Sequence, residues 1–168
     1  MKSLKVIGFL VVFIFLAATS PGCAEDKATP REVIQKVREA AAFLNAQGET
    51  GLLELAAADS RWVWKNSYVW VVKCGEMKDV AHPVNPKLAG RNFAGLKDTK
   101  GRFFMVRMCE IAGRVNGGWV EYWWPKVGDK DPSRKVAFIL QVPDSPYQVA
   151  ASIYDDEVTI DELNQMVK

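Results

Sequence analysis

The chain has 168 residues, 49% hydrophobic and 25% charged, with six Trp and eight Phe. That composition excludes disorder over most of the length and supplies enough apolar chain for one domain with a core. Lys2 and Lys5 are the only charges in the first 24 residues, so beyond them basic and acidic residues balance at 20 each. A chain of net charge near zero has no electrostatic footprint for nucleic acid or an anionic membrane surface.

Lys2 and Lys5 precede an apolar run from Val6 to Ala18, followed by Thr19-Ser20-Pro21-Gly22-Cys23-Ala24. A basic start, a short apolar stretch and small residues describe a secretory signal peptide over residues 1–24. The run is shorter than the ~20 residues that span a bilayer as a helix. Gly22 and Ala24 fit the −3 and −1 positions of a cut after Ala24. Alternatively, Ser20-Pro21-Gly22-Cys23 resembles a bacterial lipobox, in which Cys23 is lipidated and becomes the first residue. The expected product is a single domain, residues 25–168, periplasmic or secreted, or else lipid-anchored through Cys23, with no membrane span after processing. Either processing route leaves Cys74 and Cys109 as the two pairable thiols. An oxidising compartment favours a bridge between them, with two buried free thiols as the other reading. Two Cys and one His without CxxC or HxxxH spacing assemble no four-ligand zinc centre, and no CxxCH is present for haem. No metal or cofactor is expected.

Thr29-Pro30-Arg31-Glu32 opens the domain as a capping box with Pro at the first helical position. Val33, Val37, Ala41 and Leu44 continue at helical spacing up to Gln47-Gly48, and Gly51 to Ala58 reads as a second, shorter helix. The period then changes to two. Tyr68 to Cys74 is a strand, and Val80 to Val84 a short second one. Phe103 to Ile111 returns to helical spacing before Asn116-Gly117-Gly118. Three punctuated strands follow, 118–124, 134–142 and 147–154, then a modest helix over 159–167. Hairpin-length connections between the last strands demand an antiparallel sheet, which makes the chain α+β.

Several segments, in order, carry a family resemblance: Tyr68-Val-Trp-Val-Val, Ala81-His82-Pro83-Val84-Asn85-Pro86, Gly90-Arg-Asn92 and Leu96-Lys97-Asp98. Gly117-Gly118-Trp119-Val120-Glu121-Tyr122-Trp123-Trp124-Pro125, Lys135-Val-Ala-Phe-Ile and Ile153-Tyr154-Asp155-Asp156 complete the set. Together they resemble the single Cache domain family, the PAS-like extracytoplasmic sensors of bacterial receptors, over roughly residues 29–157. The resemblance implies a central antiparallel sheet, a long N-terminal helix packed on it, and a pocket on one sheet face that often takes a short carboxylate. Receptors of this family continue into a signalling module, whereas this chain ends at Lys168. It resembles the freestanding secreted members, whose output would need a separate receptor or kinase partner.

Alternation along 118–124 puts Trp119, Glu121 and Trp123 on one face and Val120, Tyr122 and Trp124 on the other. The resemblance points to Tyr122 and Trp124 as pocket residues; otherwise they are core aromatics. It also places Lys135 toward the pocket, where an ammonium would counter an anion, although a Lys in such a strand is ordinarily solvated. His82 matches the family's Ala-His-Pro segment as a ligand contact, against a purely structural role between apolar neighbours. Tyr154 resembles the pocket-side tyrosine of the last strand. Asp155-Asp156 is better placed to cap the last helix than to act as an acid–base pair, because adjacent strand residues face opposite ways. Trp62, Trp64, Tyr68 and Trp70 are further wall candidates, Trp70 fitting the core better.

The function expected is a small-molecule-binding sensor protein for a short organic acid or similar polar metabolite, without catalysis. The alternative is a Trp-rich carbohydrate-binding or accessory interaction protein, which would need aromatics aligned on an exposed surface. No GxSxG, HExxH, P-loop or GxGxxG occurs, and one His with scattered carboxylates makes no catalytic constellation.

Overall fold

The structure, a computed structural model, describes residues 26–168. The signal peptide and the Cys23 alternative therefore lie outside the described residues. Helix α1 spans Pro30–Gln47 and begins as its sequence dictates. The Thr29 hydroxyl accepts the Glu32 N–H at 3.3 Å, and the Glu32 carboxylate accepts the Thr29 N–H at 2.8 Å. Thr29→Ala should cost roughly 1 kcal/mol, read as a lower urea midpoint at unchanged slope. A midpoint equal to wild type would show that α1 does not lean on this cap.

A short α2 (Gly51–Ala56) turns the chain back toward the sheet. The strands are β1 (Val63–Trp64), β2 (Ser67–Lys73), β3 (Lys78–Ala81), β4 (Gly118–Pro125), β5 (Pro132–Gln141) and β6 (Gln148–Tyr154). They form one antiparallel sheet in the order β1-β2-β6-β5-β4, with β3 also paired to β2. Helix α3 (Phe104–Ala112) enters between β3 and β4, and α4 (Ile160–Gln165) follows β6.

Helices and loops cover the sheet on both faces, so its strands bury alternate residues in two separate cores. Val69, Val71, Trp119, Val136 and Phe138 face α1, where they meet Val33, Val37 and Leu44. Tyr68, Trp70, Val120, Tyr122 and Ile139 face α3 and meet Phe104, Met105 and Met108. The second core holds the candidate site. Gly117 (φ 66°) closes the approach of β4 to β5, and a Cβ there would collide with the Ile139 carbonyl. Only glycine fits both the dihedral and the contact.

Cys74, in the turn after β2, is joined to Cys109 of α3 with their Cα atoms 5.5 Å apart. The bridge ties the helix of the second core to the sheet that it covers.

Three expectations need correction. The second strand lies at Lys78–Ala81 rather than Val80–Val84, because Pro83 and Pro86 turn the chain into a loop with a single helical turn at Pro86–Leu88. The last helix is capped by Thr159 through a second capping box with Glu162. Asp155 instead accepts the Glu157 and Val158 N–H groups within the preceding turn, at 2.8 Å each. Trp62 and Trp64 pack in or against the α1-side core and wall no part of the α3-side cavity.

Candidate ligand-binding site

Strand register builds this site. Tyr122 of β4 is the Cα partner of Lys135 of β5, which is in turn the partner of Tyr154 of β6. Cross-strand partners in an antiparallel sheet point to the same face. Three residues distant in the chain thus form one row on the α3 side. Tyr68 and Trp70 of β2 extend that face beyond β6.

Lys135 is only 2% exposed. Its ammonium donates to the Tyr68 hydroxyl at 3.1 Å. Around it stand the rings of Trp70 at 4.9 Å, Tyr68 at 5.1 Å, Tyr154 at 5.4 Å and Tyr122 at 5.8 Å, measured to their centroids. Aromatic faces stabilise a cation that has lost its water, by about 2 kcal/mol or more per desolvated contact. Burial nevertheless pushes the Lys135 pKa down, against the opposing pull of Tyr154 and Asp79. A buried ammonium without an ion-pair partner is costly to keep, and here it borders a cavity.

The cavity measures about 20 Å³, space on the order of one water molecule. It is lined by Lys135, Trp70, Tyr122, Trp124, His82 and Asp79, with apolar closure from α3. Phe104 stacks on Tyr122 at 4.7 Å with the rings 8° apart, and lies 5.4 Å from the Trp124 ring. Trp124, His82 and Leu88 also line a wider groove of about 350 Å³ that runs along residues 125–129. These three side chains are common to the walls of the cavity and the groove. Tyr154 anchors the start of the 125–129 segment, its hydroxyl donating to the Pro125 carbonyl at 2.6 Å.

His82 is buried, and its Nδ1 accepts the Asn85 N–H at 3.1 Å. Burial, reinforced by the Lys135 charge, pushes its pKa down to about 3. The ring is therefore neutral at physiological pH, and with Nδ1 accepting, its proton resides on Nε2 as a donor. Burial pushes the Tyr68, Tyr122 and Tyr154 hydroxyls upward. Beside the Asp79 carboxyl, the cavity thus presents one ammonium among neutral groups that can donate hydrogen bonds, a setting in which an anionic group could be held.

All five residues expected at the site stand around this Lys135 cage and its rim. Tyr122, Trp124, His82 and Lys135 line the cavity itself, whereas Tyr154 stands beside the ammonium and opens to a neighbouring groove. Trp70 lines the cavity too, and Tyr68 supplies the hydrogen-bond acceptor of Lys135. Sequence reasoning missed Asp79. It is 5% exposed, lines the cavity, and faces the Lys135 charge without forming an ion pair. A signal was present, since Lys78-Asp79-Val80-Ala81 alternates. Placing the strand two residues late left Asp79 outside it.

The two-sided α+β fold thus encloses a small cavity, walled by sheet and helix, with a few polar groups among apolar ones. The family model for the Cache domain (dCache_2) matches residues 52–167. The chain belongs to the Cache domain family. It is 25% identical over 144 residues to the methyl-accepting chemotaxis protein McpP of Pseudomonas putida KT2440, covering 81% of this chain. The chain spans only about a quarter of that relative's length, 26%. A solved periplasmic sensor domain of a chemotaxis protein superposes with a TM-score of 0.62 at 26% identity, covering 82% of this chain and 100% of the other. A Cache chemosensory domain solved for carboxylic acid recognition superposes at 0.61 and 23% identity, covering 75% and 92%. A methyl-accepting chemotaxis protein from Vibrio parahaemolyticus RIMD 2210633 does so at 0.63 and 15%, covering 77% and 90%. Among the described residues no helix is long and apolar enough to cross a membrane.

Proposed function

We propose that this chain is an extracytoplasmic sensor-type binding protein for a short carboxylic acid, without catalytic activity. The observation that carries the reading is Lys135, a buried ammonium caged by aromatic rings, bordering a cavity and lacking a carboxylate partner. The ligand's carboxylate would accept from Lys135, Tyr122 and His82, while Trp70 and Trp124 wall its short apolar part, and a cavity of one water's volume would have to widen toward the neighbouring groove to admit it. The ligand class comes from these residues, because likeness at 23% identity carries the fold alone. A secretory signal over residues 1–24 would deliver the domain to the periplasm or outside, with lipidation at Cys23 as the other route. A carbohydrate surface built on tryptophan is not supported, since no Trp of the described residues is exposed: Trp62, Trp70 and Trp119 are buried, and Trp64, Trp123 and Trp124 are half-buried.

Thermal-shift screening with acetate, propionate, lactate and pyruvate against glucose and glycine tests the reading. A ligand at a hundred times its Kd stabilises by about 2.7 kcal/mol, enough to raise Tm by several degrees. Rises confined to the organic acids are the expected result. A rise with glucose and none with any acid would sink the proposal.

A further inference from the structure

Of the two cavity-wall side chains that can carry a charge near neutral pH, Lys135 receives the proposed ligand and Asp79 is left without a role. Asp79 of β3 is buried, and its Oδ1 has no hydrogen-bond partner among the described residues. An orphaned carboxylate oxygen in a cavity wall is costly unless something completes it. Lys135, Tyr68 and Tyr122 all feel its charge. From the other packed elements, His82 is held neutral and Tyr154 is an un-ionised phenol, while α3 presents apolar side chains such as Phe104 and Met108. The described cavity walls therefore hold one potential cation and one potential anion.

We propose that Asp79 makes binding proton-coupled: the cavity takes a monocarboxylate together with one proton, held between Asp79 and the bound carboxylate. This rests on the carboxylate reading of the site. The reason is charge balance in a space that water barely enters. With Lys135 charged and Asp79 ionised the cavity is neutral, and an incoming anion alone would leave a buried net negative charge. A proton arriving with the anion restores neutrality. The same count holds if the resting pair is neutral Lys135 with protonated Asp79, because the ammonium must then form on binding. In the complex, the Asp79 O–H donates to one ligand oxygen and Lys135 to the other, and the orphaned Asp79 carboxyl gains its partner. A dianion would bring a second charge that no residue of the wall can balance. Asp79 is thus a specificity-determining residue that restricts the site to monoanions.

The direction with pH follows. Burial, opposed by Lys135, pushes the Asp79 carboxyl up to about 7. Below that pH Asp79 is already protonated, and the anion binds without further uptake. Above it the proton must be recruited from solution, and affinity falls by up to about tenfold per pH unit.

Isothermal titration of the purified protein with sodium acetate, an anion throughout, tests this between about pH 6 and pH 8.5 in phosphate and in Tris. The two buffers differ in ionisation heat, so their difference counts protons. Wild type should absorb close to one proton per acetate at about pH 8 and close to none at about pH 6, with Kd rising over the same interval. Asp79→Asn should bind acetate with a level Kd and more tightly than wild type at the alkaline end. Succinate should bind wild type about a hundredfold more weakly than acetate. A level wild-type Kd with buffer-independent heat overturns the inference while leaving the carboxylate site standing. So does a slope retained in Asp79→Asn, or succinate binding equal to acetate. Failure of acetate, propionate and lactate to bind at any pH removes the carboxylate reading, and this inference with it. Should Asp79→Asn not fold, the buffer pair on wild type decides alone.

Discussion

Lys135→Met is expected to abolish most carboxylate binding while leaving the domain at least as stable as wild type. The loss follows from removing a charge-assisted hydrogen bond, worth about 1.5–3 kcal/mol, or roughly ten- to hundredfold in Kd. The retained stability follows from burial. Lys135 is 2% exposed, desolvation pushes its pKa down, and it has no ion-pair partner to lose. Met has nearly the same length and fills the space among Tyr68, Trp70 and Tyr122 without a charge to desolvate. Titration calorimetry with acetate and a urea melt check both halves. Wild-type affinity in the variant would take Lys135 out of the site. A large fall in stability would mean that the ammonium holds the four rings together, making it a structural cation rather than a receiving one.

Replacing both Cys74 and Cys109 by Ser should cost about 3–4 kcal/mol, because their bridge closes a loop across a sequence separation of 35. The effect should exceed that of the Thr29 cap severalfold, and it should reach the site. α3 carries Phe104, Met105 and Met108 over the cavity, and Cys109 is on the same helix. Releasing it should therefore weaken acetate binding as well as lower the urea midpoint. Intact mass without reductant, two hydrogens below the reduced mass, checks the bond itself. Two alkylatable thiols in the denatured, unreduced protein would remove it.

Local signals were readable where they repeat over several residues. The Thr29 box, the stripe from Val33 to Leu44 and the alternation of 118–124 each commit several side chains to one geometry, and each element stands where it was expected. Short elements were less readable. β3 is four residues long and its pairing with β2 shifts register between Val71 and Val72, so periodicity over Val80–Val84 pointed two residues downstream. At the C-terminal helix, Asp155-Asp156 and Thr159 are all competent caps in sequence. Only the backbone path, with Asp155 engaged in the preceding turn, selects Thr159.

By itself, the sequence determined the class of the domain and the sides of its strands, because a strand's alternation and a helix's stripe are properties of neighbours in the chain. It also brought Tyr122, Trp124, Lys135, His82 and Tyr154 forward as one group through their match to a family pattern. Tertiary structure alone decided what surrounds the ammonium. Tyr68 and Tyr122 are 67 and 13 residues from Lys135 in the chain, and the interval that brings them to one point is set by sheet order and register. The same holds for Asp79. Its carboxylate becomes a buried, orphaned acid only because β3 pairs with β2 beneath a helix that excludes water, and burial is a property of the assembled layers rather than of any residue's neighbours in sequence.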